Sequence, residues 1–298
     1  MTGTFTEKAV TVWAWLSGAV LTASVAILVG YLLIKGTGTL SPALFFGETA
    51  PLDALLLRRQ VFEGIFPATV GTLTLVGLSV GMAVPVGIAA GIYMAEFASL
   101  RIKSICDLVF DILAGIPSIL VGLFGFSAAV FLHQRLSDRI APCLLISALS
   151  LAFLVLPYLI RTTQTALENL PRHIRMTAPA LGASKLQTVF FVLLPQSLSG
   201  IVSGIILAIG RCAEDTAVIM LTGVVATAGL PTSLLSGYEA LPFFIYTVSA
   251  QYADQAELMR GYGAAIILLM ICALLFALTA LIRHRLSDHL LYGSEVRR

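Results

Sequence analysis

Six stretches of this chain carry no charged residue over roughly the 20 positions a helix needs to cross about 30 Å of hydrocarbon: Trp13–Ile34, Phe66–Ala95, Ile112–Leu132, Ile140–Ile160, Leu186–Gly210 and Gly261–Ile282. Only 11% of the residues are charged and 58% are hydrophobic, where a soluble domain carries about 25% charge. The chain therefore reads as an all-α polytopic membrane protein with six transmembrane helices. The first stretch is too long in its apolar part for a cleaved signal peptide, and no small-residue cleavage site closes it, so it reads as a permanent span.

Loop charges set the orientation. With both termini inside, one side receives Lys8, Arg101, Lys103, Arg161, Arg172, Arg175, Lys185, Arg283, Arg285, Arg297 and Arg298. The other receives the smaller set Lys35, Arg58, Arg59, Arg135, Arg139 and Arg260. The bias predicts an N-in, C-in topology. A net charge of +2 gives no sign of a nucleic-acid partner.

One membrane domain is expected. Residues 1–65 hold the first span and an irregular external loop, Lys35–Glu63, while 66–285 form the membrane core with a cytoplasmic loop at 161–195, and 286–298 form a cytoplasmic tail. The second apolar run is long enough to tilt or extend beyond the lipid, and Pro85 is expected to interrupt it. Gly115-Ile116-Pro117-Ser118 predicts a kink or break in the third, tolerated at membrane depth only where protein or water satisfies the freed backbone. The spacings Gly87…Gly91 and Gly200…Gly204 permit close helix packing. Thr216–Tyr238 is uncharged and is followed by Glu239 and the Pro-containing run Leu241–Tyr246. Part of Ala217–Tyr246 reads as a re-entrant or interfacial segment on the outer side.

Arg211, Glu214 and Asp215 are the ionisable residues deepest in an apolar setting. With lipid entry near Ser197, Arg211 lies about 21 Å along its helix at 1.5 Å per residue. Charges at such depth are costly, and they usually face a bundle interior and mark a substrate path. Arg211 and Asp215 are i,i+4 neighbours that can pair. Two readings stay open: a structural ion pair between helices, or a guanidinium facing a polar pathway, where its planar fork suits an oxyanion. In the second reading Asp215 holds the fork and keeps the empty site from becoming a strong anion trap. Lys103, Asp107 and Asp111 read as a solvated juxtamembrane face. Cys106, Cys143, Cys212 and Cys272 lack paired spacing and read as small hydrophobes, and the four histidines form no metal pattern. No phosphate-binding Gly-rich loop or HExxH motif occurs, so the chain is expected to draw energy from another subunit or an ion gradient.

Between the fourth and fifth apolar runs lies a compact elbow, Met176–Pro195, directly after Arg172, His173 and Arg175. Ala178, Ala180, Gly182 and Ala183 keep it slim, so a partner's groove can approach its backbone closely. Such an elbow between spans implies that something docks there.

The elbow resembles the EAA loop of binding-protein-dependent ABC importers, in which a Gly is followed after nine residues by a hydrophobic run ending in Leu-Pro. Gly182 is followed at that spacing by Val192, Leu193, Leu194 and Pro195, while Met176, Thr177 and Ala178 occupy the Glu-Ala-Ala positions. Further segments resemble the phosphate branch, the PstA-type permeases: Gly71-Thr72-Leu73, Val84-Pro85-Val86-Gly87 to Glu96, Gly115–Ser118 to Gly125, Leu156-Pro157 to Thr163, and Leu241–Tyr246. Ala208-Ile209-Gly210-Arg211-Cys212-Ala213-Glu214-Asp215-Thr216-Ala217 matches the stretch where those permeases read Gly-Arg, two residues, Gly-Glu-Thr-Ala. Glu214 replaces Gly there, and Asp215 replaces Glu.

The resemblance implies a type I ABC importer permease in a bacterial inner membrane, moving phosphate inward without being an enzyme. Implied partners are a PstC-like second permease, a PstB-like cytoplasmic ATPase dimer that holds the Mg-ATP, and an external phosphate-binding protein, with no cofactor in this chain. Arg211, Glu214, Asp215 and Thr216 would line the pathway. Ala178, Ala180, Leu181, Gly182, Ala183 and Pro195 would couple to the ATPase. Rival readings are a permease for molybdate, tungstate, sulfate or a phosphonate, which Glu214 keeps open, a secondary transporter using the same three charges as a relay, and a membrane scaffold or sensor.

Overall fold

Leu159, Thr162, Thr163 and Ala166 sit on one helix at spacings that put the pairs 159/163 and 162/166 on two adjoining ridges. Each ridge fills a groove made by a Gly-xxx-Gly pair. A Cβ on Gly87 would lie 2.6 Å from Leu159 Cβ, and one on Gly91 would lie 2.5 Å from Thr163 Cβ. On the other side, a Cβ on Gly200 would meet Ala166 Cβ at 2.6 Å, and one on Gly204 would meet Thr162 Oγ1 at 2.1 Å. The two small-residue spacings thus clamp the fourth span between the second and fifth.

These contacts organise a computed structural model that describes residues 5–47, 49, 64–135 and 141–292. The helices are α1 (Phe5–Gly36), α2 (Pro42–Phe46), α3 (Phe66–Ile92), α4 (Leu100–Ala114), α5 (Ser118–Arg135), α6 (Leu144–Glu168), α7 (Arg172–Ala180), α8 (Lys185–Thr188), α9 (Leu194–Glu214), α10 (Ala217–Thr222), α11 (Leu241–Gln251) and α12 (Gln255–Tyr292). Among the described residues, 6 helical stretches are long and apolar enough to cross a membrane. They are Thr6–Thr39, Phe66–Phe97, Ser118–Arg135, Leu144–Glu168, Lys185–Glu214 and Gln255–Arg285. All six expected spans are present. Arg58, Arg59, Arg139, Arg297 and Arg298, like most of the Lys35–Glu63 loop and the end of the tail, lie outside the described residues.

α6 is the central element, with 67% of its apolar window buried, whereas none of the window in the first span is covered. The main core gathers Leu75, Val76 and Ala83 of α3, Leu151, Val155 and Leu159 of α6, and Ala208 and Cys212 of α9. Several buried hydroxyls satisfy themselves locally: Ser79 donates to the Leu75 carbonyl at 2.7 Å and Ser150 to that of Ile146 at 2.8 Å. This is how polar side chains persist where water is absent.

Three expectations are corrected. Pro85 does not interrupt its run, because α3 continues through it from Phe66 to Ile92. A lone Pro removes one helical donor, and packed neighbours tolerate that. At Gly115–Pro117 a glycine cap and a proline act together, and there the chain does break, so Ile112 belongs to α4 and the third span starts at Ser118. The charged face of α4 is also more than solvated. Lys103 pairs with Glu168, and Arg161 pairs with Asp107 at 2.8 Å and with Asp111 at 2.6 Å, binding α4 to α6.

Residues 217–246 do not span. α10 has 6 residues and α11 has 11, too short for the bilayer at 1.5 Å per residue. α10 packs against α5 so closely that a Cβ on Gly122 would lie 3.0 Å from Val218 Cα. The irregular backbone that follows finds partners within the protein: Leu144 N–H donates to the Ser236 carbonyl at 3.1 Å, Val225 N–H to that of Tyr238 at 2.9 Å, and Leu241 N–H to Thr72 Oγ1 at 2.9 Å.

Candidate functional site

Arg211 occupies the last turn of α9, about 24 Å along the helix from Pro195. Its Nη1 donates to Glu214 Oε1 at 3.1 Å, an i,i+3 pair in which the Arg211 side chain is 40% exposed and that of Glu214 is 63% exposed. The buried Nε has no hydrogen-bond partner. Arg211 and Glu214 share an open cavity of about 410 Å³ with Ser203, Ile206, Leu207, Gly210 and Phe276. Gly210 lets the Phe276 ring lie close, since a Cβ there would be 2.9 Å from Phe276 Cζ and would push the ring aside.

The expected Arg211–Asp215 pair does not form. α9 ends at Glu214, and Asp215 has extended backbone angles, φ −74° and ψ 117°. The i,i+4 geometry requires the helix to continue through Asp215, and it does not. Instead Asp215 is buried and its Oδ1 accepts the Val218 N–H at 2.8 Å, capping α10. Glu214, which stands where the family pattern has Gly, holds the guanidinium. Thr216 begins α10 and makes no side-chain cap; neither it nor Asp215 lines the cavity. Phe276 and Ser203 do, and nothing in their local sequence marked them.

At the opposite end of α9, the elbow folds back on itself. α7 closes with Gly182 N–H donating to the Pro179 carbonyl at 2.9 Å and Ala183 N–H to that of Ala178 at 3.0 Å. Gly182 has φ +86°, a left-handed backbone that glycine adopts without steric cost. Ser184 and Gln187 then form a reciprocal capping box that starts α8. Leu181 is 86% exposed at the tip, with Met176 and Leu186 exposed beside it. Ala180 and Gly182 are exposed, Ala178 and Ala183 are half-buried, and Pro195 is half-buried at the start of α9. Arg175 roots the elbow, donating to Glu96 Oε1 and to the Leu167 carbonyl, each at 2.5 Å.

Glu239, which the sequence offered only as the end of an apolar run, is a second buried acid. Its Oε1 accepts the N–H groups of Ala228 at 2.9 Å and Gly229 at 2.8 Å, holding the irregular loop before α11. Burial pushes its carboxyl above the usual range, against the pull of those two hydrogen bonds. No group of three or more His, Cys, Asp or Glu that could hold a metal occurs among the described residues, and the four cysteines are free thiols.

The fold is thus a bundle of spans with a cavity lined by the Arg211–Glu214 pair at one end of α9 and an exposed elbow at the other. Residues 87–288 match the family described as binding-protein-dependent transport system inner membrane component, and the chain belongs to that family as a PstA-type permease. It is 32% identical over 231 residues to phosphate transport system permease protein PstA 1 of Mycobacterium tuberculosis, covering 76% of this chain and 73% of that protein. It is 31% identical over 248 residues to phosphate transport system permease protein PstA of Haemophilus influenzae, covering 82% and 83%. Among solved structures, the fold resembles a bacterial alginate ABC transporter with a TM-score of 0.61 at 14% identity, over 95% of this chain and 98% of that one.

Proposed function

We propose that this chain is the transmembrane permease subunit of an ATP-driven importer of inorganic phosphate, forming half of the pathway in a bacterial inner membrane. The observation that carries the substrate is its likeness, over most of both chains, to relatives named as phosphate transport permeases. The half-exposed Arg211 beside its cavity supports it, since a guanidinium fork suits an oxyanion. Mg-ATP and its hydrolysis belong to a separate PstB-like ATPase dimer, with a PstC-like second permease and an external phosphate-binding protein completing the assembly.

In this reading both termini and the elbow face the cytoplasm. Closure of the ATPase dimer swings the elbow and turns the cavity outward, where phosphate passes from the binding protein to Arg211. Phosphate must displace Glu214 from the guanidinium. That exposed carboxylate keeps the empty site from being a strong anion trap, the role first assigned to Asp215.

A second reading is transport of molybdate, tungstate, sulfate or a phosphonate, since the charge of that carboxylate opposes each of these anions alike and does not select phosphate. Radiolabelled phosphate uptake by cells expressing the chain with its partners separates the two. ATP-dependent uptake suppressed only by unlabelled phosphate supports the first reading. Suppression by another of these anions supports the second, and no uptake at all removes both.

A further inference from the structure

The elbow is gripped from both of its arms by two adjacent residues of one span. Arg175, on α7 before the tip, pairs with Glu96 at 2.5 Å, and the Glu96 side chain is only 10% exposed. Lys185, on α8 after the tip, places Nζ 4.8 Å from the centroid of the Phe97 ring, within cation–π range. Beneath these contacts lies an apolar cluster. Leu167, Val189 and Leu193 are its buried members, and Ile92 and Ala95 of the second span and Ile174 of α7 pack against it.

The backbone at this junction is unusual on both sides. The second span ends in a π-helical turn, Tyr93–Phe97, closed by Ala98 N–H donating to the Tyr93 carbonyl at 2.9 Å. The fifth span opens with another, Val189–Leu193. Such single widened turns are rare and concentrate at functional positions. Here the two contribute Ala95, Val189 and Leu193 to the same cluster. A helix end fixed through Glu96, Phe97 and that cluster must follow the elbow when the elbow moves.

We propose that the terminal turn of the second span is the lever that receives elbow movement, with Glu96 and Phe97 as positioning residues that act through Arg175 and Lys185. The inference rests on the permease reading above and adds to it the route by which force leaves the elbow. Motion at the tip reaches the second span directly through Glu96 and Phe97, as well as running along the chain into the fifth. The second span in turn packs against α6 through Gly87 and Gly91, so displacement of its end shifts the centre of the bundle.

The test uses the assembled transporter with its second permease, ATPase and binding protein in proteoliposomes, reading phosphate moved per ATP hydrolysed. Glu96→Gln and Phe97→Leu should each leave the complex recoverable and lower that ratio about fivefold or more, the size of a modest coupling free energy. Combining Glu96→Gln with Phe97→Leu should lower the ratio further than either alone, and Glu96→Asp, which keeps the charge facing Arg175, should recover most of the Glu96→Gln loss, which a general packing defect would not do. An unchanged ratio in both single variants overturns the proposal, as does a Glu96→Asp ratio no better than that of Glu96→Gln. Spin labels at His173→Cys and Val86→Cys give a readout that needs no substrate. Their separation should stay constant between nucleotide-free and ATP-bound states in the otherwise native chain and change in Glu96→Gln. If ATP is hydrolysed and the labels behave so while no phosphate moves, the phosphate reading falls and the lever stands.

Discussion

Thr162 on α6 fills the space that Gly204 leaves open on α9: a Cβ at Gly204 would lie 2.1 Å from Thr162 Oγ1 and 2.8 Å from Thr162 Cβ. Thr162 is held in place, since its hydroxyl donates to the Tyr158 carbonyl at 2.8 Å. Gly204→Ala should therefore cost about 1–3 kcal/mol, the usual penalty for overfilling a packed interior. Thermal unfolding in detergent measures it, and adding Thr162→Ala should return most of the loss. Gly77→Ala is the control, because a Cβ there meets nothing within 4 Å. Equal destabilisation by both substitutions would contradict the clamp around α6.

At the other end of α9, Arg211→Ala should abolish phosphate uptake while the complex still assembles, because the half-exposed guanidinium is a poor contributor to packing. Arg211→Lys should retain little activity, since an ammonium cannot reproduce the planar fork. Glu214→Gly removes the carboxylate that competes for the guanidinium, and KM for phosphate should fall several-fold. Normal uptake by the Arg211→Ala variant would remove Arg211 from the pathway. A rise in KM for Glu214→Gly would make the carboxylate a substrate-positioning group instead of a competitor.

The spans were readable because uncharged length is itself the physical requirement for crossing lipid, and Arg211 stood out because a charge in such a setting must be compensated. The partner of that charge was not readable. Spacing alone favoured Asp215, but the outcome depended on α9 ending one residue earlier, and Asp215 is recruited to cap α10. Long-range contacts were equally invisible. Nothing near Glu96 points to Arg175, and nothing near Phe276 points to Gly210, since each pair is joined only by the packing of distant spans. The Gly-xxx-Gly spacings lay between these extremes: they announced close packing without naming α6 as the helix received by both.

Gly182 should prove sensitive for two separable reasons. Its φ of +86° costs a non-glycine residue about 1–2 kcal/mol, and its position beside the exposed Leu181 puts any side chain into the surface proposed to dock the ATPase. Gly182→Ala should weaken the elbow modestly. Gly182→Asp should add a charge to that surface and detach the ATPase while the permease remains in the membrane. Co-purification of the ATPase in detergent distinguishes these, and an intact complex with Gly182→Asp would argue against docking at the tip.

Glu239 gives the fold a pH dependence whose direction can be stated. Burial raises its carboxyl above the ordinary 4.5, so the folded protein holds that proton more readily than the unfolded chain. Its contribution to stability is therefore fully present below about pH 4.5 and is lost as pH rises through the raised value. Glu239→Gln keeps an oxygen to accept from Ala228 and Gly229 but has no proton to lose. The variant and the native chain should thus unfold at similar temperatures in acid, with the variant gaining steadily as pH rises toward neutrality. Glu239→Leu leaves both amides without their acceptor, at about 1–3 kcal/mol for each buried donor stranded, and should be destabilised at every pH. Parallel melting curves for the native and Gln chains from pH 4 to 8 would mean that the carboxyl titrates as it does in water, and that its hydrogen bonds to the loop fully offset its burial.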